Sequence, residues 1–326
     1  VPNPNYDAML ATTFAKHQTK LVDNIFRSTV LLWLLTTKNE VRKYSGGHKI
    51  VIPTMYAAGQ SASYGEWDAL TLTPQTGISA AEVPWKQLYA SIVISGLEEA
   101  KNNGEEAIID LLQAKTMQAE KTLKKNLNLM LYGDGTGNGG KDFHGLGIWV
   151  DSLGTIGNIN RATGGNEYWR STETAHAGVI TGDVLRAAFR NHVNTVSDGA
   201  DSTDAILTTQ TLWEAYEAAQ VPQARYSDVK SVDAGFNNIL MGGVPIYWDR
   251  DCPAATVFGL NFEYLYLVGH TDRWFKQSKF SEGLSSAGGT GVGSVVDARY
   301  AYITSYGNMA CSAPLRQFKM TSVDGT

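Results

Sequence analysis

From Glu105 to Tyr132 the chain runs for about 28 residues without a glycine or a proline. Apolar residues fall at Ile108, Leu111, Leu112, Ala119, Leu123, Leu127, Met130 and Leu131, broken by Lys115, at roughly helical spacing. Glu105, Glu106 and Asp110 stand early and Lys121, Lys124 and Lys125 late, each sign at the end of the helix macrodipole that favours it. The spacing predicts one helix over about 104–132, roughly 40 Å long. A single amphipathic rod of that length acts as a spine on which the rest of the chain must pack. Its late lysines read as a solvated helix end, with a nucleic-acid patch as the competing reading.

The helix stops at YGDGTGNGGKDFHG (132–145), which holds six glycines in fourteen positions. Gly135 to Lys141 fits the first seven places of the nucleotide-binding pattern G-x-x-x-x-G-K-S/T, but Asp142 stands where the magnesium-binding hydroxyl belongs. A phosphate loop opens a helix, where free N–H groups and positive dipole face the anion. These glycines follow a helix, at the end where the field repels phosphate. Gly133 is therefore read as a C-cap in the left-handed region and Gly135 as part of a wide turn, both serving backbone geometry.

The 326 residues are long enough for a substantial core, and two compact lobes are expected. Charged residues make up 18%, the net charge is −5 and glycines number 33. Such a balance argues against a basic nucleic-acid reader and for much turning backbone. Two cysteines, Cys252 and Cys311, are too few for a disulfide scaffold and fit a reducing compartment. The apolar run Val30–Leu35 is too short for a membrane span and lacks the flanks of a signal peptide, so a soluble intracellular chain is expected.

Helix is predicted over 6–35, and strands over 49–55 and 88–95. The Gly-, Ser-, Ala- and Thr-rich stretch between those strands carries Tyr56, Tyr64, Trp67 and Trp85 without core periodicity. Excursions of this kind are functional or disordered, and the flanking strands make it a long two-stranded arm, an ordinary surface hairpin being the plain alternative. GLGIWV (145–150) reads as a strand and 154–176 as a polar excursion. An α/β lobe follows, with helices near 183–193 and 211–219 and strands at 204–208, 241–253 and 255–269. Strong β signal returns at 295–320.

No assembled chemistry emerges. The six histidines lack metal-ligand spacing. Gly59-Gln-Ser61-Ala-Ser63 lacks the closing glycine of a nucleophile elbow. Cys252 reads as a buried structural thiol, and Asp249-Arg250-Asp251 as a salt-bridged turn with an acid pair as the alternative. No catalytic residue, cofactor site or metal site is assigned.

The order of parts resembles the major capsid proteins of tailed bacteriophages, the Hong Kong 97-like fold. LYGDGTGNGGKDFHGL (131–146) is similar to the end of that family's spine helix, and GGVPIYWDRDCPAATVFGLNFEYLYL (242–267) to its G-x-P-I-x-W-D-x-D-x-P segment. The resemblance implies an α+β chain with an N-terminal arm (1–41), an extended β E-loop (42–95), a P-domain on the spine helix (96–176), an α/β A-domain (177–261) and P-domain return strands (262–326). It implies a structural protein, not an enzyme, whose copies form hexamers and pentamers of an icosahedral head enclosing double-stranded DNA by weak, non-specific contact. A separate scaffolding protein, a portal and a cement protein are the implied partners, and no membrane is involved. The implied location is the virion capsid, assembled in the bacterial host cytoplasm. Tyr56, Tyr64, Trp67 and Trp85 are the intersubunit contact candidates. An encapsulin-type nanocompartment shell and an intracellular hydrolytic enzyme are the alternatives.

Overall fold

The computed structural model describes residues 29–38, 41–70, 73–74, 76–101, 111–176, 182–199, 201–219, 238–285 and 295–323. Its principal helices are α1 (Val30–Lys38), α2 (Gly96–Lys101), α3 (Leu111–Tyr132), α4 (Gly182–Val196) and α5 (Gln210–Ala219). The strands in the first part of the chain are β1 (Arg42–Tyr44), β2 (Ile50–Met55), β3 (Ile78–Val83), β4 (Lys86–Ser95), β5 (Thr155–Ile156), β6 (Ile159–Asn160) and β7 (Thr172–Ala175). Those that follow are β8 (Ala205–Thr208), β9 (Asn238–Met241), β10 (Val244–Trp248), β11 (Val257–Leu260), β12 (Leu265–His270), β13 (Lys276–Gln277), β14 (Ser281–Ser285), β15 (Val295–Cys311) and β16 (Phe318–Thr321). This is a mixed helix-and-sheet chain. The spine helix ends at Tyr132 as its sequence predicts, while 104–110 and the helix expected over 6–28 lie outside the described residues.

The contacts divide the chain into two units. The first comprises 87–127 and 272–306 in its described part. There β4, β13 and β14 all pair with β15. Strand β4 alternates strictly, burying Leu88, Ala90, Ile92 and Ile94 and turning Tyr89, Ser91 and Val93 outward. Helix α3 buries Ala119 and Leu123, one turn apart on one stripe.

In the second unit, a six-stranded sheet runs in the order β7-β16-β11-β8-β10-β9. Strands β8 and β11 are buried at every position, as strands covered on both faces must be. One face meets α4 and α5 through Leu185, Phe189, Val196, Leu212 and Tyr216. On the other, Tyr247 meets Trp33 of α1 and Phe258 meets Tyr132 at the end of α3. Helix α1 is apolar around nearly its whole circumference, and five of its nine residues are buried.

Two stretches depart from the sequence reading. Residues 145–150 form not a strand but a single helical turn, Leu146–Trp149. The carbonyls a strand would give to a neighbour go instead to Arg161: Nη1 donates to Ile148 O (2.8 Å) and Nη2 to Trp149 O (2.9 Å). Arg161 also donates through Nε to Trp169 O (2.9 Å) and through Nη1 to Leu153 O (3.2 Å). The guanidinium is completely buried, and desolvation lowers its pKa from the usual arginine range. The polar excursion after residue 154 is therefore wrapped around an internal cation, with Trp149 and Trp169 edge to face beside it.

Two histidines with buried ring nitrogens make this unit acid-sensitive. The ring of His192 on α4 stacks on Phe318, its Nε2 lies 3.5 Å from His176 Nε2, and its Nδ1 has no partner. Burial, reinforced by His176, lowers its pKa. Glu173 and Lys319 pair with each other at 2.8 Å, at the register positions that alternate with Phe318 and so face away from His192. His144 is half-buried with a buried, orphaned Nδ1, and desolvation pushes its pKa down to about 4. Both folded-state values lie below the unfolded one, near 6.5. The stability is thus complete above about pH 6.5 and is lost as the pH falls toward 4. Melting temperature is expected to fall through that window, and less steeply in His192→Phe. An unchanged profile would contradict this account.

Candidate assembly surface

Strands β2 and β3 form an antiparallel hairpin in register from Ile50↔Val83 to Met55↔Ile78. Its inner face buries Ile50, Ile52, Thr54, Ala81 and Val83. The hairpin rests on the small β5–β6 turn: Glu82 N donates to Gly157 O (3.1 Å), and a side chain on Gly157 would run into Ala81. Glu82 accepts from Lys49 Nζ at 2.5 Å and from Asn158 Nδ2 at 3.1 Å. The Lys49 contact holds its carboxyl below the usual glutamate range. The outer face carries Val51, Pro53, Met55, Ile78 and Ala80, all exposed. An apolar stripe on a paired ribbon has no use for the subunit that displays it.

Beyond Met55 the arm contributes nothing to the core, since every residue from Tyr56 to Leu70 is exposed. It is nevertheless organised: Thr73 Oγ1 donates to Gln60 Oε1 across it (3.0 Å), and Asp68 closes a turn by accepting from Gly65 N (2.7 Å). The four aromatic contact candidates are treated unequally. Trp67 is 94% exposed and Tyr64 70%. Tyr56 lies against the ring of Tyr168 at 5.7 Å, and Trp85 donates Nε1 to Gly47 O (2.9 Å) with its edge toward His270. Tyr56 and Trp85 thus have partners in their own chain, which period and composition alone do not reveal.

The glycine segment carries a correction. Gly135 is left-handed at φ +79°, and a side chain there would meet His144. Gly133 is not left-handed; its N–H donates to Met130 O (3.0 Å), an ordinary closing turn. The close approach belongs to Gly145, where an added Cβ would lie 2.4 Å from Met130 O, 2.4 Å from Gly133 O and 2.6 Å from Leu131 O. No periodic signal marks that position, because its neighbours come from across the turn. Lys141 is exposed, and it is Lys86 Nζ that binds the loop, at Gly140 O.

The Asp249–Asp251 turn also differs from the salt bridge expected. Buried Asp249 accepts through Oδ2 from Tyr132 OH (2.9 Å), Asn128 Nδ2 (3.4 Å) and Leu31 N (3.3 Å), and through Oδ1 from Asp251 N (3.0 Å). Asn128 Oδ1 takes Leu32 N (3.2 Å). Two side chains thus satisfy the open N–H groups of Leu31 and Leu32 in the first turn of α1 and tie it to the end of α3. Arg250 is exposed, and neutral donors do the work assigned to it. Burial pushes the Cys252 thiol upward in pKa and that of Cys311 to about 12, so both are unreactive structural thiols. Among the described residues, no group of three or more His, Cys, Asp or Glu is placed to hold a metal, and no helix is long and apolar enough to cross a membrane.

The chain superposes on the capsid subunit of cyanophage A-1(L) with a TM-score of 0.69, at 17% identity, over 94% of this chain and 96% of that one. The fold is the Hong Kong 97-like capsid fold. The capsid of a native GTA particle matches at TM-score 0.64 and 13% identity, over 99% and 100% of the two chains. The encapsulin SrpI of Synechococcus elongatus matches at TM-score 0.61 and 11% identity, over 98% and 96%. No family model matches the chain, and no curated protein matches it in sequence. At these identities the capsid fold is kept by pattern and packing and not by shared residues.

Proposed function

We propose that this chain is the major structural subunit of a tailed-phage head, without catalytic activity. Its copies associate as hexamers and pentamers and close an icosahedral shell around double-stranded DNA. The carrying observation is the exposed apolar arm on a capsid fold: the β2–β3 ribbon and the tip beyond it display surface that only a second molecule can bury. Stable repeated interfaces bury about 1,200–2,000 Å², within reach of an arm of this length. The assigned parts are the N-terminal arm (1–41), the E-loop (42–95), the P-domain (96–176 and 262–326) and the A-domain (177–261). Assembly takes place in the bacterial host cytoplasm, with a separate scaffolding protein, a portal and a cement protein as partners. With a net charge of −5, contact with packaged DNA is weak and salt-sensitive.

The encapsulin likeness supports a second reading, a nanocompartment shell around cargo protein. Native particles decide between them: double-stranded DNA inside supports the phage head, and a protein cargo without DNA overturns it.

The shell is held without covalent welds. From Met55 to Pro84 the arm has no lysine, and Lys49 at its base is ion-paired with Glu82. Particles boiled in detergent are expected to run as single chains of 35.4 kDa. A ladder of multimers that survives reducing agent would contradict this.

A further inference from the structure

Arg273, Lys276 and Lys279 stand within seven residues of a chain whose net charge is −5. All three are exposed, and none makes an ion pair among the described residues. Elsewhere in the fold Lys49, Arg170, Arg299, Arg316 and Lys319 each reach a carboxylate. The acids bordering the stretch are Asp272 and Glu282. Asp272 is engaged within its own chain, and Glu282 lies opposite Arg299 in the β14–β15 register. No acidic residue falls between 273 and 281.

The backbone fixes these cations along one sheet edge of the first unit. Lys276 and Gln277, the whole of β13, pair with Thr304 and Ile303 of β15. Tyr306 N donates to Arg273 O (3.1 Å) and Ser278 N to Tyr302 O (2.8 Å), so both flanks are tied to the same strand. The outward-turned residues of β15 here, Tyr302, Thr304 and Tyr306, are uncharged. Between the cations Phe275 is left-handed at φ +50°, a conformation that a bulky side chain rarely takes, and its ring lies edge to face with Trp274 at 5.2 Å. Backbone strain of this kind persists where a site depends on it. Lysines on an edge strand also block unwanted pairing, but Arg273 and Lys279 lie outside β13 and add nothing to that guard.

We propose that this edge is where the subunit meets the phosphate backbone of packaged duplex DNA. The assignment rests on the phage-head reading and names the surface that reading needs. At physiological salt, charges act over only about 8 Å, so an acidic chain meets a polyanion through a local cluster of free cations. Arg273 can take two phosphate oxygens in a fork, and each lysine acts as a point charge. Such contacts position the duplex and read no base sequence. Each phosphate neutralised steepens the slope of log K against log salt by about 0.9, so three give about −2.7, or roughly 500-fold per tenfold change in salt.

The test titrates a labelled duplex of arbitrary sequence with the unassembled full chain between about 10 and 100 mM salt, where so few contacts still bind measurably. A slope of about −2.7 is expected, the same on a second sequence. Arg273→Gln, Lys276→Gln and Lys279→Gln are each expected to make it shallower by about 0.9, and the triple variant to bring it near zero. Circular dichroism checks the fold, and the single variants decide should the triple variant not fold. Arg186→Gln with Arg190→Gln removes two exposed cations of α4 and is expected to leave the slope unchanged. The patch is overturned by an absence of binding at the lowest salt, by a slope that the three substitutions leave in place or the α4 pair reduces, or by equal binding to poly-glutamate. If native particles nonetheless hold DNA, the head reading stands. Particles that hold protein cargo and no DNA overturn the head reading and the proposed occupant with it.

Discussion

A chain in which Ala57–Ala80 is replaced by a short turn is expected to fold, to melt cooperatively and to form no shell. Every described residue removed is exposed except Gly77, which is half-buried. What remains of the hairpin keeps its inner contacts, with Ile50 and Ile52 opposite Val83 and Ala81. The anchor to Gly157 and the Tyr56–Tyr168 contact also remain. Shortening the connection lowers the entropy of closing it, so stability is expected to stay within about 1 kcal/mol. Assembly loses Tyr64, Trp67 and part of the outer stripe at once, and buried aromatics dominate interface energies. Circular dichroism and a thermal melt report the first half, electron microscopy the second. An unfolded deletion, or one that still builds shells, would show that the arm serves folding or is dispensable.

Gly145→Ala is expected to destabilise the subunit by about 3 kcal/mol or more, whereas Gly133→Ala costs under about 1 kcal/mol. The new methyl at 145 would sit within 2.6 Å of three carbonyl oxygens at the end of α3, all of them backbone. Relief requires moving the Leu146–Trp149 turn, which holds Trp149 and gives Arg161 two of its carbonyls. At 133 the nearest atom would be Met130 O at 3.3 Å, which a small shift accommodates. Thermal melts of the two variants compare them directly. Equal losses, or a larger loss at 133, would mean that the helix end is governed by the cap and not by the crossing.

The elements set by periodicity were legible from sequence, and those set by contact were not. Helix α3 announces its end at Gly133 because both its apolar stripe and its freedom from glycine stop there. The β-rich runs 49–55 and 88–95 mark β2 and β4, but their alternating burial shows only in the fold, since the outward Val51, Pro53 and Met55 are apolar too. By contrast, Gly145 matters for atoms more than ten residues away in sequence, and Arg161 organises a segment whose composition reads as loop. Asp249 has a charged neighbour in sequence but neutral partners in space, brought from α1 and α3 by the fold. Of the assembly candidates, Tyr64 and Trp67 differ from Tyr56 and Trp85 only in what lies beside them.

Cryo-electron microscopy of the purified chain, alone and with the proposed scaffolding protein, tests the central claim most directly. Rings of five and six subunits or closed shells are expected, with the 50–83 arm of each subunit lying across its neighbour. A chain that remains monomeric at every concentration in both preparations, or rings in which the arm folds back on its own subunit, would contradict it.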